Sequence, residues 1–244
     1  SVGAYVEQAN SDSYFGGGGE YAQADNITSV DDTFTGNTVG AGSGTAEPAG
    51  GGFAVQGVTV EESSVLLAEN LVATSNTVAG TSAYGGGIYA GFASGCPNTS
   101  CPAEVDLYDS TIDHNSAYWG AGVSGGQVAD VGKFYNDIVY GNTGTQGGQL
   151  NYGGSNVTVQ YTDSCDQSNA VYTGAGNQCI DPQLTNPAGN NVEETSSSPT
   201  VNAGSNALVP AGLTKDYTGD ARIQQATVDM GADEFAAATT PTAT

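Results

Sequence analysis

The sequence predicts an all-β fold, a parallel β-helix of roughly five to seven coils with loop insertions. Gly-rich segments recur along the chain, and each repeat closes on an asparagine. The spacings between successive closing asparagines are 39, 39 and 27 residues. One coil needs about 20 to 25 residues, so the longer spacings indicate insertions. We expect these asparagines to form a structural ladder, one rung per coil, at Asn37, Asn76, Asn115 and Asn142.

Composition decides between helical and β repeats. The 244 residues include 37 Gly but only three Lys and Arg, which argues against a helical solenoid. Short runs alternate apolar with polar residues, as at 105–108 and 157–159, and Gly, Asn and Ser bound them. This alternation is the strand pattern, and short strands at even spacing with Gly corners fit a parallel β-helix better than a sandwich.

The repeat is clear up to residue 160 and weakens after it, and this divides the chain. Residues 1–160 are predicted to hold the coils, 161–235 the terminal coils and a C-terminal cap, and 236–244 a Thr/Ala/Pro tail or linker. The first residues contain no amphipathic helix to cover the start of the β-helix. An uncovered start exposes unpaired backbone groups and would permit head-to-tail self-assembly. A short N-terminal loop folded over that end is the alternative.

Charge excludes several partners. The formal net charge of −23 argues against nucleic acid and anionic membrane surfaces, which require Lys and Arg. No run of about twenty apolar residues is present, so the sequence predicts no membrane span. An acidic surface suits divalent cations and keeps the protein in solution.

The cysteines fall into two close pairs, Cys96 with Cys101 and Cys165 with Cys179. Neither pair has the Cys or His neighbours that zinc requires, so two local disulfides are predicted. Disulfides indicate an oxidising compartment, and we expect an extracellular protein, secreted or at the cell surface. Three glycosylation sequons agree with secretion, at Asn26, Asn98 and Asn156.

A second column is predicted six residues before each closing asparagine. It contains Asp31, Asn70, Asp109 and Asn136. Asn and Asp favour turns, so a corner column that satisfies its own backbone is the structural interpretation. Oxygen ligation of Ca²⁺ is the functional alternative. No cofactor is required by this fold, but a Ca²⁺ site would draw on Asp31, Asp32, Asp109 and Asp113.

Aromatic residues bracket the Gly corners, at Tyr84, Tyr89, Tyr118, Trp119 and Tyr152. Such rings can stack on sugars or pack against loops and neighbouring subunits, and both interpretations stay open. The single histidine, His114, has no paired nucleophile in the sequence and is interpreted as a surface residue.

The C-terminal third carries a resemblance, in segments 178–182, 198–204, 216–222 and 229–234. This series resembles secreted right-handed parallel β-helix proteins with polymorphic outer-membrane-protein-like repeats and a choice-of-anchor C-terminal region. Their ends read roughly Asn-Ile-x-x-Asp-Pro, Ser-Pro-Ala-Ile-Asp-Ala-Gly, Asp-x-x-Gly-x-x-Arg and Asp-Ile-Gly-Ala-x-Glu. Asn202 stands where that family usually has Asp. The resemblance implies a right-handed β-helix displayed outside the cell, without catalytic residues, and an ion pair between Asp216 and Arg222 that fixes the cap.

Two classes of function follow. The first is a non-enzymatic extracellular structural protein, either a self-assembling filament or matrix subunit or an adhesin, whose partner is itself or cell-surface and matrix glycans. The alternative is a glycan-binding β-helix or an enzyme, a polysaccharide lyase or glycosidase. A lyase needs clustered cations, yet Lys133, Lys215 and Arg222 are scattered. A glycosidase needs two carboxylates at a defined separation in a groove. The sequence therefore favours the first class.

Overall fold

The structure is a computed structural model that describes residues 15–16, 18–23, 26–41, 48–57, 64–92, 103–125, 130–152 and 156–236. These residues form an all-β fold with several parallel sheets, consistent with a β-solenoid, so the predicted fold class is confirmed at that level. Among the described residues, none lies in a helix long and apolar enough to cross a bilayer.

Four parallel sheets are stacked from strands of successive repeats. Sheet I contains β2 (Glu20–Gln23), β7 (Phe53–Gly57), β11 (Ile88–Phe92), β15 (Val123–Gly125) and β19 (Leu150–Asn151). Sheet II contains β3 (Asn26–Val30), β8 (Ser64–Glu69), β12 (Ala103–Tyr108), β16 (Val131–Tyr135) and β20 (Val157–Gln160). Sheet III contains β4 (Thr33–Thr35), β9 (Val72–Thr74), β13 (Thr111–Asp113), β17 (Ile138–Tyr140) and β21 (Asp163–Ser164). Sheet IV contains β5 (Thr38–Val39), β10 (Thr77–Val78), β14 (Ser116–Trp119) and β18 (Thr143–Gln146).

The chain visits the sheets in the order I, II, III, IV and then returns to sheet I. Two short pairs lie outside these sheets. One is parallel, β1 (Phe15–Gly16) with β6 (Pro48–Ala49). The other is antiparallel, β22 (Leu184–Asn186) with β23 (Asn191–Glu194), joined by a 3-10 helix at Pro187–Gly189.

Corners between sheets II and III use a left-handed backbone conformation. The four predicted corner residues have φ between 50° and 58°, and they lie at equivalent positions directly after the strands of sheet II. Asn and Asp adopt this conformation more readily than other side chains because their short polar groups bond locally. The fifth corner residue, Tyr161, has the same conformation, with φ 50°, although it is neither Asn nor Asp.

One apolar core is shared by sheets I, II and III. Phe53, Leu66, Leu107, Ile112 and Phe134 are all at most 1% exposed and belong to a single cluster. The alternating strand pattern of the sequence places these residues on the inner faces, as in β12, where every second residue is buried.

Two middle strands of sheet III, β9 and β13, are buried on both faces. All three residues of β9 and of β13 are buried because residues 180–236, here called the flank segment, lie along its outer face. The Ala232 N–H donates to Thr111 Oγ1 at 2.9 Å, and the Gly231 N–H donates to the Asn136 carbonyl at 2.7 Å. Gly231 has φ +96°, and a Cβ there would lie 2.7 Å from Ile138, so only glycine allows this contact.

The end of sheets II and III is covered by residues 165–179, here called the end loop. The Tyr161 N–H donates to the Ala175 carbonyl, the Ser164 N–H to the Gln178 carbonyl, and the Gln178 N–H to the Thr162 carbonyl. Tyr172 packs against the shared core from this loop. The covering role expected of a C-terminal cap therefore falls on the end loop, whereas the flank segment packs at the side.

Candidate functional site

The closing asparagines form a continuous hydrogen-bonded column, here called the ladder. At each step, the backbone N–H and the Nδ2 group of one asparagine donate to the Oδ1 atom of the next at 2.9–3.0 Å. Nδ2 also reaches back to a backbone carbonyl of the previous repeat at 2.8–2.9 Å, at Phe34, Ala73 and Ile112. The predicted rungs are thus all hydrogen-bonded to one another.

The ladder ends at Gln149. In the place of a fifth asparagine, its Oε1 atom accepts from the backbone N–H of Asn142 at 3.2 Å and from Asn142 Nδ2 at 2.9 Å. Sequence reasoning missed Gln149 because it lies outside the repeat position. It comes seven residues after the last closing asparagine, next to a Gly-Gly pair.

Beside this end of the ladder, the edge of sheet IV is open. Among the described residues sheet IV has four strands, whereas sheets I, II and III have five each. Its last strand, β18, is exposed at Thr143, Thr145 and Gln146. The Thr143 N–H donates to the Asn115 carbonyl of the previous repeat. Because the N–H groups of successive strand residues point to opposite sides of the strand, the N–H of Gly144 points away from β14, towards the open edge.

A groove of 330 Å³ lies between β18 and the end loop. Its volume falls in the range of small-ligand and peptide sites. Amide and hydroxyl side chains line it, namely Asn142, Thr143, Thr145, Gln149, Gln167 and Asn169. These groups offer hydrogen bonds, and Asp166 of the end loop adds one carboxylate to the lining.

The end loop is closed by the predicted disulfide between Cys165 and Cys179. The second predicted disulfide, Cys96 with Cys101, lies outside the described residues. Since the closed loop spans 14 residues of sequence separation, its chain-entropy contribution is about 3 kcal/mol.

Replacing both Cys165 and Cys179 by Ser should therefore lower the free energy of unfolding by about 2–4 kcal/mol. Amide hydrogen exchange should rise first in β20 and β21, which the end loop covers. Urea unfolding and exchange measured by mass spectrometry would check this. Unchanged protection of both strands would contradict it.

The predicted metal ligands occupy separate environments. Asp31 accepts from Asn70 Nδ2 at 2.7 Å, and Asp32 from Ser29 Oγ at 2.7 Å. Asp109 and Asp113 are buried, and each is hydrogen-bonded to a neighbour, Asn136 or His114. Within the described part of the chain, no three Asp, Glu, His or Cys side chains are arranged to hold a metal ion. The corner column thus makes local hydrogen bonds, and Ca²⁺ binding stays a prediction.

The predicted partner of Arg222 is wrong. Arg222 is 1% exposed, and its Nη2 pairs with Glu234 Oε1 at 2.7 Å. Asp216 instead accepts backbone N–H groups of its own turn, from Thr218 and Asp220. Because the Asp216 carboxylate bonds the backbone of its own turn, the Arg222 guanidinium bonds Glu234 and Asn70 instead.

Buried carboxyl groups hold the flank segment together. Glu194 Oε1 accepts from the Ser198 and Thr200 hydroxyls, and the Glu194 N–H donates to Asp233 at 2.8 Å. Burial, followed by the neighbouring Asp229 carboxylate, raises the pKa of Glu194 to about 10. Glu194 Oε2 has no hydrogen-bond partner among the described residues, so burial beside the Asp229 carboxylate is the cause on which the raised pKa rests. Burial likewise raises the pKa of Asp109 to about 7.

A raised carboxyl pKa favours folding in acid. The contribution of Glu194 to the free energy of unfolding is fully present below the pKa of this group in the unfolded chain, near 4.5. It is lost as the pH rises towards 10, the pKa in the folded protein. We expect Glu194→Gln to remove this dependence. Relative to the variant, the wild type should weaken by up to about 1.4 kcal/mol per pH unit between pH 5 and pH 8.

Urea unfolding at both pH values measures this difference. Glu193→Gln is the matched control, because Glu193 is the exposed neighbour of Glu194. Equal pH dependence in wild type and Glu194→Gln would show that the pKa of Glu194 is not raised in the folded protein.

Aromatic residues pack on one another along the stack. The rings of Tyr84 and Trp119 lie 6.3 Å apart at 12°, and those of Tyr108 and Tyr135 lie 5.1 Å apart at 29°. Neighbouring repeats thus turn their ring faces towards each other. Tyr152 meets Phe134 edge-on at 6.0 Å inside the core. Packing accounts for these rings, and sugar stacking stays a prediction.

The cations do not share a site within the described residues. Lys133 bonds Glu104 and lies 3.3 Å from Asp106 on the outer face of sheet II. Lys215 and Arg222 belong to the flank segment. Burial, then the charge of Glu104, raises the pKa of Asp106 to about 6. This arrangement satisfies the charge of Lys133 locally.

The three sequons fall in different places. Asn156 is exposed at the start of β20, and Asn26 begins β3. Asn98 lies outside the described residues. Glycosylation at any of them stays a prediction.

Comparison with protein-family models, with curated proteins and with solved structures finds no match to this chain. The resemblance to choice-of-anchor β-helix proteins therefore stays a prediction drawn from the residues.

Proposed function

We propose that the protein is a non-enzymatic extracellular structural protein, a subunit of a self-assembling filament or matrix. We further propose that its sheets close into a right-handed parallel β-helix of roughly five to seven coils. Three sheets of five strands each favour that architecture.

The open edge of β18 carries the proposal. All pairings between repeats are parallel, and β18 presents an exposed edge among the described strands. A sheet edge with unpaired N–H and C=O groups is a template for another chain unless it is covered or charged. The side chains of β18 are Thr, Gly and Gln, without a charge to repel a partner.

Rigidity and location support the same function. The ladder and the shared core stiffen the stack from repeat to repeat, and the disulfide closes the end loop. The disulfide and the net charge of −23 suit a protein outside the cell. Adhesion is the second candidate, because the groove beside β18 is lined by amides and hydroxyls that can bond sugar hydroxyls.

Electron microscopy of the purified full chain, with and without a calcium chelator, tests the proposal. We expect filaments with an axial repeat of about 25 to 30 Å, the height of five or six coils. Their loss in chelator would make Ca²⁺ part of the joint. Monomers under both conditions would overturn self-assembly and favour the adhesin, which a glycan array would then test.

A further inference from the structure

Sheet IV is one strand short of its neighbours. After β21, at the level where a fifth strand of sheet IV would follow, the chain turns away at Cys165 into the end loop. We propose that this vacant position binds an extended segment from a second copy of the chain, supplied by residues 1–14. The inference rests on the proposed self-assembly and names its joint.

The vacant position offers what an added strand requires. Gly144 directs its N–H towards the open edge, as argued above, and lies opposite Ala117 in the register. Ala117 belongs to a small apolar cluster with Val39 and Val78, the inner-facing residues of the earlier strands. Gly144 adds no side chain to that cluster. A strand laid on β18 would therefore gain backbone bonds and one apolar contact.

The groove marks the place where such a strand would lie. It runs beside Asn142, Thr143, Gly144 and Thr145, with the end loop as the opposite wall. Gln149 already satisfies the donors of Asn142, so the ladder ends without unpaired groups beside the groove. What remains open is the backbone edge of β18, and this favours main-chain recognition of a strand.

Sequence selects the occupant. The strands of sheet IV repeat an outer hydroxyl residue followed by an inner small apolar residue, as in Thr38-Val39, Thr77-Val78 and Ser116-Ala117. Residues 1–14 lie outside the described residues, and their sequence opens with Ser1-Val2-Gly3-Ala4. Residues 237–244, also outside, contain Thr242-Ala243, and they are therefore the alternative occupant that the test has to separate from residues 1–14.

Position favours a second copy over the same chain. Residues 1–14 precede β1, which pairs with β6 at the first repeats. β18 lies at the opposite end of sheet IV. When two stacks meet end to end, the N-terminal segment of one molecule adjoins β18 of the other without running along the stack.

The test uses a chain lacking residues 1–14 and a synthetic peptide of those residues. Trp119, the single tryptophan, lies in β14 opposite Gln146 of β18, so its emission should shift when a strand binds. Gly144→Pro removes the N–H that faces the groove and should weaken peptide binding at least tenfold. Gly144→Ala keeps that N–H and is the matched control, although its Cβ would lie 3.1 Å from the Gly147 carbonyl oxygen and requires a shift of a few tenths of an ångström there. A scrambled peptide should not bind.

Filaments of the full chain test the function, and the truncated chain tests this inference. We expect the full chain to assemble, the truncated chain to stay monomeric, and free peptide to block assembly. Filaments from the truncated chain would overturn the inference and leave the proposed function standing. Loss of filaments only on removing residues 237–244 would overturn it in the same way. Peptide binding with a monomeric full chain would overturn both, because the segment would then act within one molecule.

Discussion

Asn115→Ala is expected to lower the free energy of unfolding by about 3–5 kcal/mol. Asn115 is 1% exposed, and its Oδ1 accepts both the backbone N–H and the Nδ2 group of Asn76. Its own Nδ2 donates to the Ala73 carbonyl and to Asn142. Alanine would leave the Asn76 N–H buried without a partner, at about 1–3 kcal/mol, and would remove the bonds of Asn115 to Asn76 Nδ2, the Ala73 carbonyl and Asn142, at about 0.5–1.5 kcal/mol each.

Asn37→Ala is the matched control. Asn37 is the same residue type in the same column, but it is half-buried at the start of the ladder. It donates to Asn76 Oδ1, and no described group donates to its side-chain oxygen. Asn37→Ala should therefore lower the free energy of unfolding by about 1 kcal/mol. Urea unfolding followed by circular dichroism compares the two, and equal losses would show that the ladder does not act as a chain of buried bonds.

Arg222→Met is expected to lower the free energy of unfolding by about 3–5 kcal/mol and to loosen the flank segment. The buried guanidinium bonds Glu234, the carbonyls of Ala232 and Asp233, and Asn70 of the corner column. Its removal leaves the Glu234 carboxylate buried without a counter-charge. The loss should be larger at pH 8 than at pH 5. Burial raises the pKa of Glu234 to about 7, and Arg222 opposes that rise.

Two further variants separate charge from packing. Lys215→Met makes the same charge change at an exposed residue of the flank segment and should alter stability by less than about 0.5 kcal/mol. Adding Glu234→Leu to Arg222→Met should recover part of the loss, because replacing both buried partners is far less costly than removing one. Urea unfolding and hydrogen exchange of residues 180–236 measure both effects. No recovery in the double variant would mean that hydrogen bonds from Arg222 to the backbone, and not the ion pair, hold the segment.

Local chemistry explains what the sequence predicted. Left-handed corners favour Asn or Asp, and four of the five corners between sheets II and III have them, so residue type and spacing predict the corner column. The ladder follows from the same logic, because an asparagine at equivalent positions of successive parallel repeats bonds its neighbour. Alternating strands such as β12 show their buried face directly. The all-β class and the repeat spacing therefore come from short-range patterns.

Only the tertiary structure decided which residues are covered and which partners they have, because both depend on the surfaces that meet in the fold. Val72 and Thr111 occupy outer positions of sheet III, and their burial depends on the flank segment that covers them. Arg222 pairs with Glu234 and bonds Asn70, 152 residues away, and sequence spacing favoured a nearer carboxylate. The repeat pattern likewise does not reveal the role of Gln149, the burial of Glu194 or the missing fifth strand of sheet IV. Local patterns determine strands and corners, whereas long-range packing determines partners and open edges, since those contacts have no fixed spacing in the sequence.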